Sequence, residues 1–262
     1  MTHQPPCADA AASYDEDFAA VDGSALMRRL HRDAFGTDYP EEIDVFSSCS
    51  WWTLGQAIAQ LRMVPDGTLV DLGCGQGGPG LWVARATRTH LVGIDFSATA
   101  RALARAAAPR FLPPGRAEFR YGTLTATGLG GARADGVLSI DALPFSPDRR
   151  RTLQEIRRIL KPGARAVFTC GERTGSGEGA GPSSWPRMAR AAGLEVTATL
   201  TDEGRGERWT RLYALWQRHA RELVADLGEA PAGRLLEEAR TLGPLMRSGT
   251  VRHLLLAVRR PA

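Results

Sequence analysis

From Thr68 onward, short apolar runs alternate with longer segments whose apolar positions recur every three or four residues. Strands buried on both faces give the first pattern and amphipathic helices give the second. The alternation therefore predicts a mostly parallel sheet built from βαβ units. The predicted strands are Thr68 to Leu72, His90 to Asp95, Ala117 to Tyr121, Asp135 to Ile140 and Ala164 to Cys170, with two more at Leu194 to Thr201 and Val251 to Arg259. Helices are predicted at Gly80 to Thr87, Ala98 to Ala107 and Pro147 to Leu160, the last stopped by Lys161-Pro162-Gly163. Ahead of the first strand, Tyr14 to Arg62 carries helical periodicity and Pro65-Asp66-Gly67 makes a turn, whereas residues 1 to 13 read as disordered.

Between the last two strands the pattern changes. Trp209, Leu212, Tyr213, Trp216, Ala220, Leu223, Val224 and Leu227 share helical spacing and predict one amphipathic helix. Leu235, Leu236, Ala239 and Leu242 predict a second, ending before Gly243-Pro244. The Gly- and Ser-rich stretch from Arg173 to Ser184 reads as a long flexible loop. The expected organisation is a helical cap over residues 1–62, an α/β core over 63–201, an inserted helical lid over 202–249 and a final core strand in 250–262.

Composition narrows the class. With 262 residues the chain can bury one substantial core. It has no apolar run long enough to cross a bilayer and no basic-then-apolar leader, so a cytoplasmic protein without a membrane partner is expected. The net charge is +4, but of the 33 lysine and arginine residues only Lys161 is a lysine, a bias that a GC-rich coding sequence produces by itself. Arg149-Arg150-Arg151 and Arg157-Arg158 fall on one helix that needs a polar outer face, and no aromatic platform accompanies them. A solvated surface is favoured over a nucleic-acid footprint. Cys7, Cys49, Cys74 and Cys170 form no metal-ligand spacing, and His31 and His90 have no companion, so reduced thiols and no metal site are expected.

The chemistry concentrates where the first strand ends. Leu69-Val70-Asp71-Leu72 runs straight into Gly73-Cys74-Gly75-Gln76-Gly77-Gly78, whose glycines permit a sharp turn and close approach of a ligand to backbone amides. Asp95 follows Gly77 by eighteen residues and ends the second strand, where a carboxylate can accept bonds from both ribose hydroxyls while Phe96 covers an adenine. Gly73, Gly75 and Gly78 also spell G-x-G-x-x-G, which fits NAD equally well. Asp71 discriminates between the two. A carboxylate just before the turn repels a pyrophosphate and attracts the ammonium and sulfonium groups of S-adenosylmethionine.

Val70 to Gly77 resembles the first motif of the class I S-adenosylmethionine-dependent methyltransferases. Gly93-Ile94-Asp95-Phe96-Ser97 is similar to that family's second-strand acidic motif, Asp135 to Ser139 to its fourth-strand motif, and Leu160 to Ala164 to the turn before strand five. The resemblance implies a Rossmann-like α/β fold: a seven-stranded, mostly parallel sheet flanked by helices, with Val251 to Arg259 as a reversed strand beside the fifth and helical lids over the core. It implies S-adenosyl-L-methionine as donor and S-adenosyl-L-homocysteine as product. The implied cofactor contacts are Asp71, Gly73, Gly75, Gly77, Asp95, Phe96 and Ser139, with Thr123 and Leu124 at the adenine. Thr123 stands where the family usually has an acidic residue. The run Ser47 to Gly55 and the lids are similar to small-molecule methyltransferases of bacterial antibiotic pathways. That likeness implies a natural-product acceptor methylated at O, N or C, and Tyr14 and the pair Trp51-Trp52 closing over the cofactor, with ordinary core packing as the alternative for all three rings. A monomer or homodimer without a nucleic-acid partner is expected.

Methyl transfer is a displacement at an already activated sulfonium, so the protein mainly aligns the reactants and excludes water, and a base helps when the acceptor loses a proton. Asp141, just past the fourth strand, is one candidate base; alternatively it caps the turn at Leu143-Pro144 or orients the methionine amino group. Related enzymes often carry a histidine close after this strand, where Pro144 stands here. His219 on the inserted helix is the other candidate, a partly solvated helix histidine being the plainer alternative, and His253 reads as structural. Trp209, Tyr213 and Trp216 either wall an acceptor pocket or pack as core. Two rivals stay open. A nucleic-acid or protein methyltransferase is disfavoured by Ile140-Asp141-Ala142-Leu143-Pro144-Phe145, which lacks an Asn/Asp-Pro-Pro-Tyr motif. An S-adenosylmethionine-binding protein with non-methylating chemistry, such as a cyclase, would show the same motifs.

Overall fold

The computed structural model describes residues 8–43, 48–173 and 184–262. Three helices, α1 (Ala8–Val21), α2 (Ala25–Phe35) and α3 (Trp51–Leu61), precede the sheet. Then follow β1 (Thr68–Leu72), α4 (Gly78–Thr87), β2 (His90–Asp95), α5 (Ala98–Ala107), β3 (Ala117–Tyr121), β4 (Ala134–Ser139), α6 (Arg149–Ile159) and β5 (Leu160–Arg173). The chain ends with α7 (Trp185–Ala191), β6 (Glu195–Thr201), α8 (Arg205–Arg218), α9 (Ala220–Leu227), α10 (Glu229–Ser248) and β7 (Val251–Arg259).

The seven strands lie in the order β3-β2-β1-β4-β5-β7-β6. β1 to β5 are parallel, and β7 runs antiparallel to both β5 and β6. The order reverses between β1 and β4, so the segments leaving those two strands diverge and open a crevice at the carboxyl ends. Strand alternation supplies both faces of the core. Leu69, Leu91, Leu138 and Val167 pack with Leu54 and Leu61 of α3 and Leu81 of α4. Val70, Val92, Val137 and Phe168 pack on the other side with Leu153 and Ile156 of α6 and Trp185 of α7.

A third apolar cluster stands apart from the sheet. It joins Met27, Leu30 and Phe35 of α2 to Leu212, Tyr213 and Trp216 of α8, Leu223 of α9 and Leu235 of α10. The cap and the inserted segment thus pack as one helical layer, whereas α3 lies on the sheet against β4, β5 and β7.

Several sequence expectations are corrected. Of the disorder expected over residues 1–13, residues 8–13 are helical instead, as the start of α1, and residues 1–7 lie outside the described residues. Asp15 of α1 accepts bonds from the Ser97 hydroxyl and the Thr99 amide, and Arg234 grips Glu16 and Asp17, so tertiary contacts hold this alanine-rich helix. The single helix expected from Trp209 to Leu227 is two helices meeting at His219, whose φ of −100° and ψ of 23° leave the helical region. α10 runs through Pro244 instead of ending before it. Leu242 and Met246, on either side of the proline, both pack on the lid cluster, and that burial offsets the missing backbone bond. β5 is longer than expected because β7 pairs with it as far as Arg173. The loop expected after Arg173 falls at 174–183, outside the described residues, as do Ser47 and Cys7.

Candidate active site

At the end of β1, Gly73, Gly75 and Gly77 have φ of 68°, 51° and 83°, a conformation that strains other residues. The amides of Gly73 and Cys74 both donate to the Ile94 carbonyl, at 2.8 and 3.1 Å, which ties the turn to β2. A methyl group at Gly73 would lie 2.4 Å from the Ala142 side chain. One at Gly77 would meet Ala104, Leu81 and Phe119 at 3.1 to 3.3 Å, so this glycine faces the packed core beneath the turn.

Asp71 is 2% exposed. Burial, with the Asp95 carboxylate adding to it and the Gly80 N–H opposing, pushes its carboxyl up to about 7. A methyl group at Gly80 would lie only 2.3 Å from Asp71 Oδ2, so α4 can approach this carboxylate only through a glycine. Sequence reasoning passed over Gly80, although a glycine nine positions after the acid and inside a helix was a visible anomaly. Asp95 accepts from the Gly75 amide and the Ser97 amide, each at 2.9 Å, and burial raises its carboxyl as well. Two buried carboxylates therefore flank the turn; no side-chain cation is bonded to either carboxylate group among the described residues, and Arg101, which donates to the Asp95 carbonyl at 3.2 Å, offsets part of the Asp95 charge. Gln76 adds a buried Nε2 with no partner among the described residues. An orphaned donor, a glycine cradle and surplus negative charge suit a cationic nucleoside. Asp71, Asp95, Gln76 and the amides of the turn would hold it.

Other expected contacts are placed unevenly. The Tyr14 ring meets Phe96 edge-on at 5.3 Å, bringing α1 over the end of β2, and Phe18 lies against Gly75. Leu124 borders Gly73. Thr123 closes a tight turn on Ala126 through two backbone bonds, and its hydroxyl faces Thr125 at 3.4 Å. The buried Ser139 hydroxyl donates to the Leu72 carbonyl at 2.6 Å and so stitches β4 to β1. Trp51 is 38% exposed, and its ring partner is Trp82 of α4 at 5.5 Å rather than a residue of the turn.

The two candidate bases have different surroundings. Asp141 has a left-handed backbone, φ 58°, and its carboxylate accepts four bonds. They come from the Ser48 amide and hydroxyl at 2.8 and 2.6 Å, from the Thr169 hydroxyl at 2.9 Å and from Arg205 at 2.7 Å. Burial alone would raise this carboxyl, but the Arg205 charge and the Ser48 bonds outweigh it and hold it below the usual range. A carboxylate so saturated orients its surroundings and is a poor proton acceptor. His219 lies at the α8–α9 junction, its Nδ1 2.7 Å from Glu222, which also pairs with Arg29 of α2. That contact fastens the lid helices together at the surface.

Sequence reasoning missed Arg205 and Glu238, and it named Tyr213 and His253 without bringing them to this cluster. Arg205 pairs with Asp141 across 64 positions of the chain. The Tyr213 hydroxyl, on a ring buried in the lid, donates to Glu238 Oε1 at 2.8 Å. His253 is held neutral, lowered to about 4 by burial and then by Arg205, and its buried Nε2 has no partner among the described residues. These pairings join distant segments, so no local motif announces them.

Comparison with known proteins agrees with this geometry. Residues 70–168 match the model of a methyltransferase domain. O-methyltransferase resE of Aspergillus sclerotiorum is 26% identical over 169 residues, covering 64% of this chain and 62% of that protein, so the chain matches less than two thirds of that relative's length. Among solved structures, the cyclopropane synthase MmaA2 from Mycobacterium tuberculosis shares the fold with a TM-score of 0.72 at 17% identity, over 94% of this chain and 98% of that one. The [4+2]-cyclase SpnF does so with a TM-score of 0.68 at 21% identity, over 80% of each chain. The chain thus carries a segment similar to a methyltransferase domain, set in a fold that it shares with these solved structures.

Proposed function

We propose that the protein transfers the methyl group of S-adenosylmethionine to a hydroxyl oxygen of a small natural-product acceptor. The observation that carries this reading is Asp71, a fully enclosed carboxylate beside the glycine turn with no cation of its own bonded to it among the described residues. A sulfonium-bearing nucleoside supplies that missing charge and, when bound, an electrophilic methyl group. The choice of oxygen is supported by the O-methyltransferase relative.

In this reading the protein's own contribution is positional. Asp95 and Phe96 receive the nucleoside, Tyr14 closes over it from α1, and the helical layer above excludes water. The Asp141–Arg205 pair ties the segment after β4 to the start of α8, so lid and core keep a fixed relation. A cytoplasmic location, a monomeric or dimeric state and the lack of a nucleic-acid partner belong to the same proposal. No helix of the described residues is long and apolar enough to cross a membrane, and no cluster of metal-ligating side chains occurs among them.

The test is release of S-adenosylhomocysteine from S-adenosylmethionine in the presence of a panel of phenolic and alcoholic natural products. Turnover of a panel member with the methyl group found on oxygen supports the reading. Tight donor binding without product release from any acceptor refutes it and favours a non-methylating use of the fold, such as that of the cyclase.

A further inference from the structure

Three helices of the cap and lid pack together here, α10 against both α8 and α1. Tyr14 and Asp17 project from α1, Tyr213 from α8 and Glu238 from α10. Tyr14 touches Phe96 at the nucleoside end, and Arg205 holds Asp141 at the end of β4. Glu238 stands one turn beyond Arg234 on α10, and Arg234 grips Asp17, one turn beyond Tyr14 on α1; the Glu238 carboxylate interacts electrostatically with Tyr14 and with Asp141.

The three carboxylates here differ in how they are satisfied. Asp17 is bonded to Arg234, and Asp141 has Arg205 and three further donors. Glu238 has one bond, from Tyr213 at 2.8 Å on Oε1, and no cation bonded to it among the described residues. Its second oxygen accepts no hydrogen bond among the described residues. The Tyr213 ring is clamped between Trp209 at 4.8 Å and Trp216 at 5.4 Å, so the hydroxyl that fixes Glu238 is itself fixed.

We infer that Glu238, oriented by Tyr213, is the base that takes the proton from the acceptor hydroxyl. This rests on the methyl-transfer reading above, in which the methyl donor is a substrate consumed at each turnover. A lone pair of the acceptor oxygen forms the new O–C bond while the C–S bond breaks and its electron pair returns to sulfur. The acceptor's O–H proton passes to Glu238 Oε2, and the resulting carboxylic acid releases it to solvent after the product leaves. Burial and the nearby Asp141 and Asp17 carboxylates raise Glu238 above its ordinary range, only partly offset by the Tyr213 bond, which makes it a stronger base than Asp141.

The experiment is the pH dependence of kcat, with the acceptor found in the panel above, for the wild type and three variants. In the wild type the rate falls on the acid side with a midpoint above the usual carboxylate range. Glu238→Gln lowers kcat by about 100-fold or more and abolishes that limb, while S-adenosylhomocysteine still binds. Tyr213→Phe keeps the limb but moves it to higher pH, because the bond that favours the ionised form is gone. Glu238→Asp, one methylene shorter, recovers part of kcat together with the limb. An active wild type whose acid limb survives in Glu238→Gln, with kcat within about three-fold, overturns the inference. So does a limb that disappears in His253→Asn instead. A wild type that binds S-adenosylmethionine but turns over no acceptor overturns the methyl-transfer reading first and this inference with it.

Discussion

Replacing Asp71 by asparagine separates what this residue costs the empty protein from what it gives the bound one. In the empty protein the carboxyl rises from its ordinary 3.8 to about 7. That rise corresponds to about 4 kcal/mol of preference for the protonated form in the folded state. The sign follows from linkage. The folded state holds this proton more tightly than the unfolded chain does, so the contribution is fully present below the unfolded value of 3.8 and is lost as pH rises through about 7. Above neutrality the ionised Asp71 therefore destabilises the empty fold. Asparagine has nearly the same shape, keeps an oxygen for the Gly80 N–H and carries no charge. Asp71→Asn should stabilise the empty protein at pH 8 by up to about 4 kcal/mol, with little effect at pH 4.

The same substitution should weaken binding of a cationic nucleoside by about 10- to 100-fold, or about 1.4–2.8 kcal/mol. Denaturant melts between pH 4 and pH 8 give the first quantity, and calorimetric titration with S-adenosylmethionine gives the second. A variant that is no more stable than the wild type at pH 8, or that binds S-adenosylmethionine as tightly, would show that Asp71 is not the uncompensated charge of the site.

Three further outcomes follow from packing. Gly80→Ala forces a methyl group to within 2.3 Å of Asp71 Oδ2, and melting should show a loss of about 1–3 kcal/mol together with weakened donor binding. Asp15→Ala removes the acceptor for the Ser97 hydroxyl and the Thr99 amide; it should cost about 1 kcal/mol and make α1 readily cleaved in limited proteolysis of the otherwise intact protein. Burial tends to raise the Asp15 carboxyl, but those bonds win and lower it, so the contribution is lost as pH falls and α1 should loosen in acid. His219→Ala should leave kcat/KM within about three-fold of the wild type, because its ring is spent on Glu222; a larger loss in steady-state assays would return it to the chemistry.

The glycine turn and the two carboxylates beside it were legible in the sequence because their geometry is local. A strand, a glycine turn and a helix follow one another between Thr68 and Thr87, and β2 places Asp95 beside them through nearest-neighbour pairing. Strand ends marked by turns, as at β1, β2, β3 and β7, lie where the pattern put them. The lid resisted for two physical reasons. His219 interrupts a helix without being a glycine or proline, whereas Pro244 fails to interrupt one, because tertiary packing outweighs local propensity at both places.

The acceptor side, as proposed above, joins Arg205 and Tyr213 of α8 to Asp141 after β4 and to Glu238 of α10, pairings across 64 and 25 positions that periodicity cannot bring together. Sequence reading could judge carboxylates only by their place after a strand, and so it selected Asp141. The structure adds the number of bonds each carboxylate already accepts. By that measure Asp141, with four donors, is a strut between core and lid, and Glu238, with one, keeps an oxygen for a substrate. The comparison also bears on how acceptor preference can change. The donor turn is fixed by glycines that would clash if replaced, whereas the lid cluster is held by ordinary side-chain packing. Substitutions in α8 and α10 can therefore reshape the acceptor space without disturbing Asp71 or Asp95.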